Sequence, residues 1–389
     1  MFLAVISLVL LVAYLAILAF YCWGWFVSGK KVNEVKTGEI VAITVIVPAR
    51  NEEANIAACL GSLLQQDYKE THVEVMVVDD ASEDGTAEII KSYAEKDSRI
   101  KWVQLKAKAG EQSFKKRAVE AGIAAAGGKL IVCTDADCIH HNGWLSALAN
   151  AYDGGKKKFI AAPVVYHTQS TFLSVFQTLD FMTLQGITAA SVATGFHTMC
   201  NGANIAYERD MFYAVNGFSG IDDLPTGDDM LLMHKMYKQN SDGIFYLRSK
   251  NAMVTTDAAA SWKTFFQQRI RWASKAAFYD DRRIFRVLLL VYVLNVWCLW
   301  LGIMAIFLPA TRPLLAVVIG VKTAAEMVLL LPVASFFGKM KWMFLFPFFQ
   351  PIHILYTIIA GWLGRFGRYE WKGRVIEAPK VLKANKASH

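Results

Sequence analysis

"VEVMVVDDASEDGT" (residues 73 to 86) is an apolar, β-branched run that stops abruptly in acidic and turn-forming residues. It gives way at once to the helical spacing of "GTAEIIKSYAEK" (85 to 96). A short, continuously apolar strand followed by a helix is the signature of a strand buried on both faces of a parallel sheet. The same alternation extends on both sides. "AITVIVP" (42 to 48) precedes the helical "EEANIAACLGSLLQQ", and "IKWVQL" (100 to 105) and "KLIVCTDAD" (129 to 137) come after it. Strands alternating with helices predict an α/β domain with a mostly parallel, Rossmann-like sheet and right-handed crossovers. Ligands of such sheets bind just beyond the carboxyl ends of the strands.

The chain as a whole is far more apolar than a soluble enzyme. Of its 389 residues 54% are hydrophobic, and mean hydropathy is +0.31. Residues 2 to 27 carry no charge and are long enough to cross a hydrocarbon core. The run is too long for a signal peptide and lacks both a basic leader and a small-residue cleavage site, so an uncleaved anchor over 1–28 is expected. Lys30, Lys31 and Lys36 behind it place the adjoining domain in the cytoplasm by the positive-inside rule.

The water-soluble stretch 38–285 is expected to form one domain. Apolar segments at Val287–Leu308, Pro313–Phe337 and Trp342–Gly364 make 286–364 a region of two to three transmembrane or re-entrant helices. If all three cross, the tail 365–389, with seven Lys/Arg and two Glu, falls on the side opposite the domain, against the charge rule. Pro347 and Pro351 suggest a broken or interfacial last segment and a cytoplasmic tail. Lys322 and Glu326, spaced i and i+4, form a pair within the membrane or mark an interfacial helix. The expected arrangement is a multi-pass protein of the cell (inner) membrane with a cytoplasmic catalytic domain.

Formal net charge +8 has no basic run interleaved with aromatics, so anionic lipid headgroups, not nucleic acid, are its expected partner. The six cysteines form no CxxC pair and no zinc spacing, which suits free thiols in a reducing compartment.

Three strand ends run into polar groups: "PARNEE" (48 to 53), "DDASEDGT" (79 to 86) and "TDADC" (134 to 138). Parallel pairing brings Asp80, Asp135 and Asp137 to one rim. Any one of them would pass as a helix cap, but three together mark a ligand site. Asp135 and Asp137, with no Lys or Arg between them in sequence, repel unless a cation intervenes, and a hard Mg²⁺ or Mn²⁺ shared with a diphosphate is the natural occupant. No GxxxxGK[ST] loop or GxGxxG is present, which disfavours P-loop and dinucleotide enzymes.

With "PARNE", "VVDDASEDGT", "KKRAVEAG", "TDADC", "NGANIAYER", "TGDDMLL" and "QRIRW" in that order, the chain resembles the membrane-bound family-two glycosyltransferases of the GT-A fold, which include cellulose and hyaluronan synthases and ceramide glucosyltransferase. The resemblance covers roughly 42 to 275. It implies a nucleotide-sugar donor whose uracil meets Asp80, supported by Asp79, with Arg50 and Glu52 in the same pocket. Arg50 stands where several relatives have an aromatic. Asp137 would be the main metal ligand, with Asp135 near the ribose or donor sugar. Lys115 would lie near the phosphates, although Phe114 replaces a common glycine there. Asn201 and Asn204 match an acceptor-side loop.

Asp228 and Asp229 open a helical stretch, where a cap is also expected. By the resemblance Asp229 is the general base that takes the acceptor hydroxyl's proton, with Asp228 beside it on the acceptor side. On a helix Gln268, Arg271 and Trp272 share one face. The resemblance puts Gln268 and Arg271 on the donor diphosphate and Trp272 on the acceptor, whereas Gln267 and Arg269 point elsewhere. Residues 170–186 have helical apolar spacing suited to lying on the membrane. His197 reads as structural, and His140 and His141 lack metal-ligand spacing.

These readings converge on an inverting, metal-dependent glycosyltransferase that acts on a lipid-linked or short glycan acceptor. Met230 stands where long-chain synthases often carry Arg, so a processive polysaccharide synthase is the second reading. A non-catalytic nucleotide-sugar scaffold and a nucleotidyltransferase are the alternatives of other classes.

Overall fold

The computed structural model describes residues 2–32, 40–106, 114–221, 227–274, 281–366, 368–371 and 374–377. In chain order the elements begin with helix α1 (Phe2–Val32), β1 (Ile43–Ala49), α2 (Ile56–Leu64), β2 (Val73–Asp79), α3 (Thr86–Lys96), β3 (Ile100–Gln104), α4 (Phe114–Ala124) and β4 (Leu130–Cys133). There follow β5 (Ile139–His140), α5 (Trp144–Tyr152), β6 (Phe159–Ala161), β7 (Val164–His167), α6 (Phe172–Thr194), β8 (Ile205–Glu208), α7 (Arg209–Ala214), α8 (Met230–Gln239), β9 (Ile244–Tyr246) and β10 (Val254–Asp257). Then come α9 (Trp262–Ser274), α10 (Arg282–Phe307), α11 (Arg312–Phe336), α12 (Phe346–Phe366) and the hairpin of β11 (Arg368–Trp371) with β12 (Arg374–Glu377).

The main sheet has the order β3-β2-β1-β4-β8-β6-β9. Its first four strands are mutually parallel, and β8 runs antiparallel to both β4 and β6. The apolar runs are continuous because both faces are covered. Ile56, Leu60 and Ile90 from α2 and α3 pack on one side, while Val119 and Ile123 from α4 and Val175 from α6 pack on the other. Ala49 is in register with Asp79, and Ile46 with Cys133, so β1, β2 and β4 discharge their loops along one edge.

Among the described residues, four helical stretches suffice by length and composition to cross a membrane: Phe2–Lys31, Arg282–Phe307, Pro309–Phe336 and Met340–Arg365. Leu8, Val9, Ile303, Phe307, Val317 and Val328 point outward and are exposed, as lipid-facing side chains are. Two expectations are corrected. The helix predicted at 170–186 does not lie on a membrane surface. It is α6, buried for most of its length between the sheet and α1 and α11, and its apolar spacing reflects protein neighbours on both sides. At Gly24 of α1 a Cβ would come within 2.9 Å of the Ala190 carbonyl oxygen, so the glycine is what lets α1 close on α6.

The prolines do not break the last apolar segment either. Pro347 sits in the first turn, where its missing N–H has no helical partner to lose, and α12 continues through Pro351. This helix runs beside α9 over its length. Phe349 and Trp262 both meet Phe176, Tyr356 meets Phe265, Ala360 meets Ile270, and a Cβ on Gly364 would fall 2.7 Å from Ala273.

Among the apolar helices, Lys322 Nζ lies 2.7 Å from Glu326 Oε1, and both side chains are buried. Tyr14 donates to Glu326 at 2.5 Å, Gln350 Nε2 donates to Glu326 at 2.6 Å, and Lys322 donates to Gln350 Oε1 at 2.7 Å. The cluster ties α1, α11 and α12 together. Lys322→Met, which leaves the Glu326 carboxylate without its cation, is expected to cost about 3–5 kcal/mol and lower the unfolding temperature in detergent. Lys322→Met/Glu326→Leu should recover most of that loss, and a single variant as stable as the parent would contradict the pairing.

Candidate functional site

The three loops leaving β1, β2 and β4 meet along the rim of one continuous cavity of about 1600 Å³. Arg50 fixes the first loop to the second, donating to the carbonyls of Asp80 and Ala81, each at 2.7 Å, and to Glu83 at 3.0 Å. Ala81 sits at φ +54°, the left-handed turn that swings the chain away after Asp80. Asp79 is fully buried beneath this turn and accepts from the Ser82 backbone N–H and Gln104 Nε2, both at 3.1 Å, so it props the loop and does not line the cavity. Asp80 lines the cavity and pairs with Arg117 at 2.9 Å. Glu52, also on the wall, accepts from Asn55 at 2.9 Å.

Beyond β4, Asp135 and Asp137 line the wall. The positive charge that their sequence spacing calls for is in part supplied by the protein. Lys115, on the first turn of α4, puts Nζ 2.7 Å from Asp135 and 3.3 Å from Asp228. Burial alone would lower its pKa, but the surrounding carboxylates of Asp135, Asp228 and Asp229 outweigh burial and hold it well above the ordinary lysine value. Asp137 accepts from Thr256 at 3.2 Å. Among the described residues no group of three His, Cys, Asp or Glu converges closely enough to hold a metal ion by itself. The donor set fits instead the mode in which one or two carboxylates share Mg²⁺ or Mn²⁺ with a diphosphate and waters.

Beside this rim, Asp229 caps α8. Its Oδ1 accepts from the Met230 N–H at 2.7 Å and its Oδ2 from the Gly202 N–H at 3.1 Å. Asp228 and Asn201 line the cavity beside it. Asn204 does not reach the cavity. It is fully buried, accepts from Trp144 Nε1 at 3.0 Å and donates to the carbonyls of Pro163 and Ala252, so its role is to knit loops behind the site.

Helix α9 forms the floor. Gln268, Arg271 and Trp272 line the cavity, and so do Gln267 and Arg269, which helical spacing alone sends elsewhere. Arg269 is buried, pairs with Asp180 of α6 at 2.8 Å, and lies 4.3 Å from the ring centroid of Trp272. Sequence reasoning misses Asp180, although a lone carboxylate in an apolar helix signals a buried partner. Past this floor the cavity continues between the apolar helices, along Ile17, Leu184, Leu288, Val291, Leu329 and Phe349. Two histidines are tied into the fold, although His197 also lines the cavity. His140 bonds to Ser62 and Thr134 below the Asp135 loop, and His197 to Tyr21 and Ser191.

The family model described as Glycosyl transferase family group 2 matches residues 130–363, more than half of the chain, and Glycosyl transferase family 2 matches 44–215. The chain belongs to the family 2 glycosyltransferases. It is 26% identical over 239 residues to the probable glycosyltransferase YdaM of Bacillus subtilis, covering 60% of this chain and 55% of that protein. It is 27% identical over 258 residues to an N-acetylglucosaminyltransferase of Rhizobium meliloti, covering 63% and 58%. The match thus spans little more than half the length of these curated relatives. The mannosyltransferase PcManGT of Pyrobaculum calidifontis, solved with GDP-Man and Mn²⁺, superposes with TM-score 0.56 over 93% of this chain and 98% of that one, at 20% identity, a likeness of fold.

Burial pushes the pKa of His140 from an ordinary 6.5 down to about 3. Between those values the unfolded chain binds a proton that the native state does not, so stability is unaffected above pH 6.5 and falls as the pH drops toward 3. His140→Gln, which cannot titrate, should show a shallower decline when unfolding is followed against pH. Parallel curves would contradict the neutral, buried imidazole.

Proposed function

We propose that this glycosyltransferase moves a sugar from a nucleotide-sugar, UDP-linked, to a lipid or a short lipid-linked glycan at the cytoplasmic face of the cell membrane, with inversion at the anomeric carbon. The observation that carries the proposal is the continuity of the cavity: one wall holds the charged rim, and the other end opens among the apolar helices. A nucleotide diphosphate suits the first and an aliphatic tail the second. The lining at that end is mainly apolar, with the mutually bonded Tyr14, Glu326 and Gln350 among it, which favours a lipid over processive polymer synthesis.

In this reading Asp80 and Arg50 meet the base of the donor, with Glu52 beside them. Lys115, Gln268 and Arg271 hold the diphosphate. Asp137, with Asp135 next to it, would bind Mg²⁺ or Mn²⁺ by one or two oxygens; when bound, the cation supplies charge neutralisation to the departing diphosphate. Asp229 takes the proton from the acceptor hydroxyl. Its contacts with the Gly202 and Met230 N–H groups hold the carboxylate in place. Asp228 restrains Lys115, while Asn201 and Trp272 border the acceptor.

The inferred topology has α1, α10 and α11 crossing, with α12 lying beside α9 at the cytoplasmic leaflet. The pairing of the two helices supports it, and it returns the basic tail to the side of the domain. A cysteine introduced near the tail (S388C) should be labelled from the same side of sealed vesicles as one on the domain surface (S241C); opposite labelling would contradict it.

Asp229→Asn should retain nucleotide and metal binding while turnover drops by about 10²- to 10⁴-fold. Asp137→Ala should lose the metal-dependent part of UDP affinity. Full turnover by the first, or unchanged Mn²⁺-dependent UDP binding by the second, measured by calorimetry, would overturn these roles.

A further inference from the structure

The floor of the cavity rests on a polar network that the donor-binding reading does not use. Arg269 donates from Nε and Nη2 to Asp180 Oδ2, at 3.1 and 2.8 Å, and Tyr356 of α12 donates to Asp180 Oδ1. The remaining arm of the guanidinium, Nη1, donates to Gln268 Oε1 at 2.7 Å, and the Tyr166 hydroxyl of β7 lies 3.4 Å from the same oxygen. The guanidinium also lies over two aromatic rings, 4.7 Å from the centroid of Phe265 and 4.3 Å from that of Trp272. Four elements, β7, α6, α9 and α12, therefore meet around one cation.

An arginine has only donors, so it dictates how the neighbouring amide must be turned. With Arg269 fixed by Asp180, the Gln268 carbonyl oxygen faces Arg269 and Tyr166. Gln268 lines the cavity together with Arg271, and with its oxygen held by Arg269 and Tyr166 the NH₂ is the amide group that remains for a ligand there. Had the amide been reversed, two N–H groups would abut a guanidinium. The same cation covers one face of the Trp272 ring, whose neighbour Phe181 is stacked in turn on Tyr166.

We infer that Asp180, Arg269 and Tyr356 are positioning residues: they hold the Gln268 amide with its NH₂ toward the donor diphosphate and lock the Trp272 ring, so that α12 helps set the geometry of the donor site. This rests on the nucleotide-sugar reading of the cavity. None of the three touches the donor in this scheme. Their effect passes through Gln268 and Trp272, and is expected in donor affinity more than in fold.

Removing Arg269 alone would strand a buried carboxylate, so the test uses two other variants. Gln268→Glu keeps an oxygen for Arg269 and Tyr166 but replaces the NH₂ with a second, negative oxygen. Asp180→Asn/Arg269→Met removes both charges together and keeps an amide oxygen to accept from Tyr356. Each purified full-length protein is titrated with UDP and with GDP in the presence of Mn²⁺ by calorimetry, and its unfolding temperature and site stoichiometry are recorded.

Gln268→Glu should unfold at or above the parent temperature yet bind UDP about tenfold more weakly or worse. The double variant should keep a stoichiometry near one site with a similar loss of affinity. Should the double variant fail to fold, Tyr356→Phe, which removes only the hydroxyl that donates to Asp180, takes its place, and unchanged UDP affinity there overturns the inference. Unchanged affinity in Gln268→Glu overturns the inference. So does a double variant that loses binding sites while the remaining sites keep parental affinity, which is the mark of a merely structural role. A parent chain that binds neither UDP nor GDP overturns the nucleotide-sugar reading, and this inference falls with it.

Discussion

Parallel pairing of β1, β2 and β4 forces the chain to leave the sheet three times at the same edge. Each exit needs a turn, each turn here is built from polar residues, and the register of the strands leaves those residues little choice about where to gather. Asp80, Asp135 and Asp137 thereby line the same cavity, where Lys115 pairs with Asp135 and Arg117 with Asp80. In the proposed reading, a diphosphate with its cation binds along this rim.

A second constraint comes from the apolar helices. Charge buried among them must be paired, and the pairs join elements distant in sequence. Glu326 gathers Lys322, Gln350 and Tyr14, while Asp180 gathers Arg269 and Tyr356. Both clusters use α12, so this helix is tied to the apolar bundle by one and to the floor of the charged cavity by the other. That double attachment is how a soluble-type α/β domain and a set of membrane-type helices come to share a single cavity.

The strands, the convergence of their ends and the candidate residues on them are legible in sequence, because each rests on a local pattern: an apolar run, a turn, an acidic cluster. The misreadings share a different cause. Apolar spacing in α6 states that one face is covered but does not distinguish lipid from protein, and the cover proves to be α1 and the sheet. Helical geometry around Arg269 gives a direction but not the neighbour, which lies 89 positions away on α6. Asn204 shares a loop with Asn201, yet its side chain turns inward to Trp144. Lys115 reaches Asp135 across 20 residues, a contact no spacing rule foresees.

The central claim is that one cavity joins a nucleotide-sugar to an acceptor drawn from the bilayer. Its most direct test is the product. Membranes carrying the protein are incubated with a panel of radiolabelled UDP-sugars and Mn²⁺, and the label is partitioned into an organic extract, a high-molecular-weight fraction and free sugar. The account predicts that one donor delivers its label to the organic extract with stoichiometric release of UDP. Label accumulating as long polymer, or release of pyrophosphate in place of UDP, would contradict it.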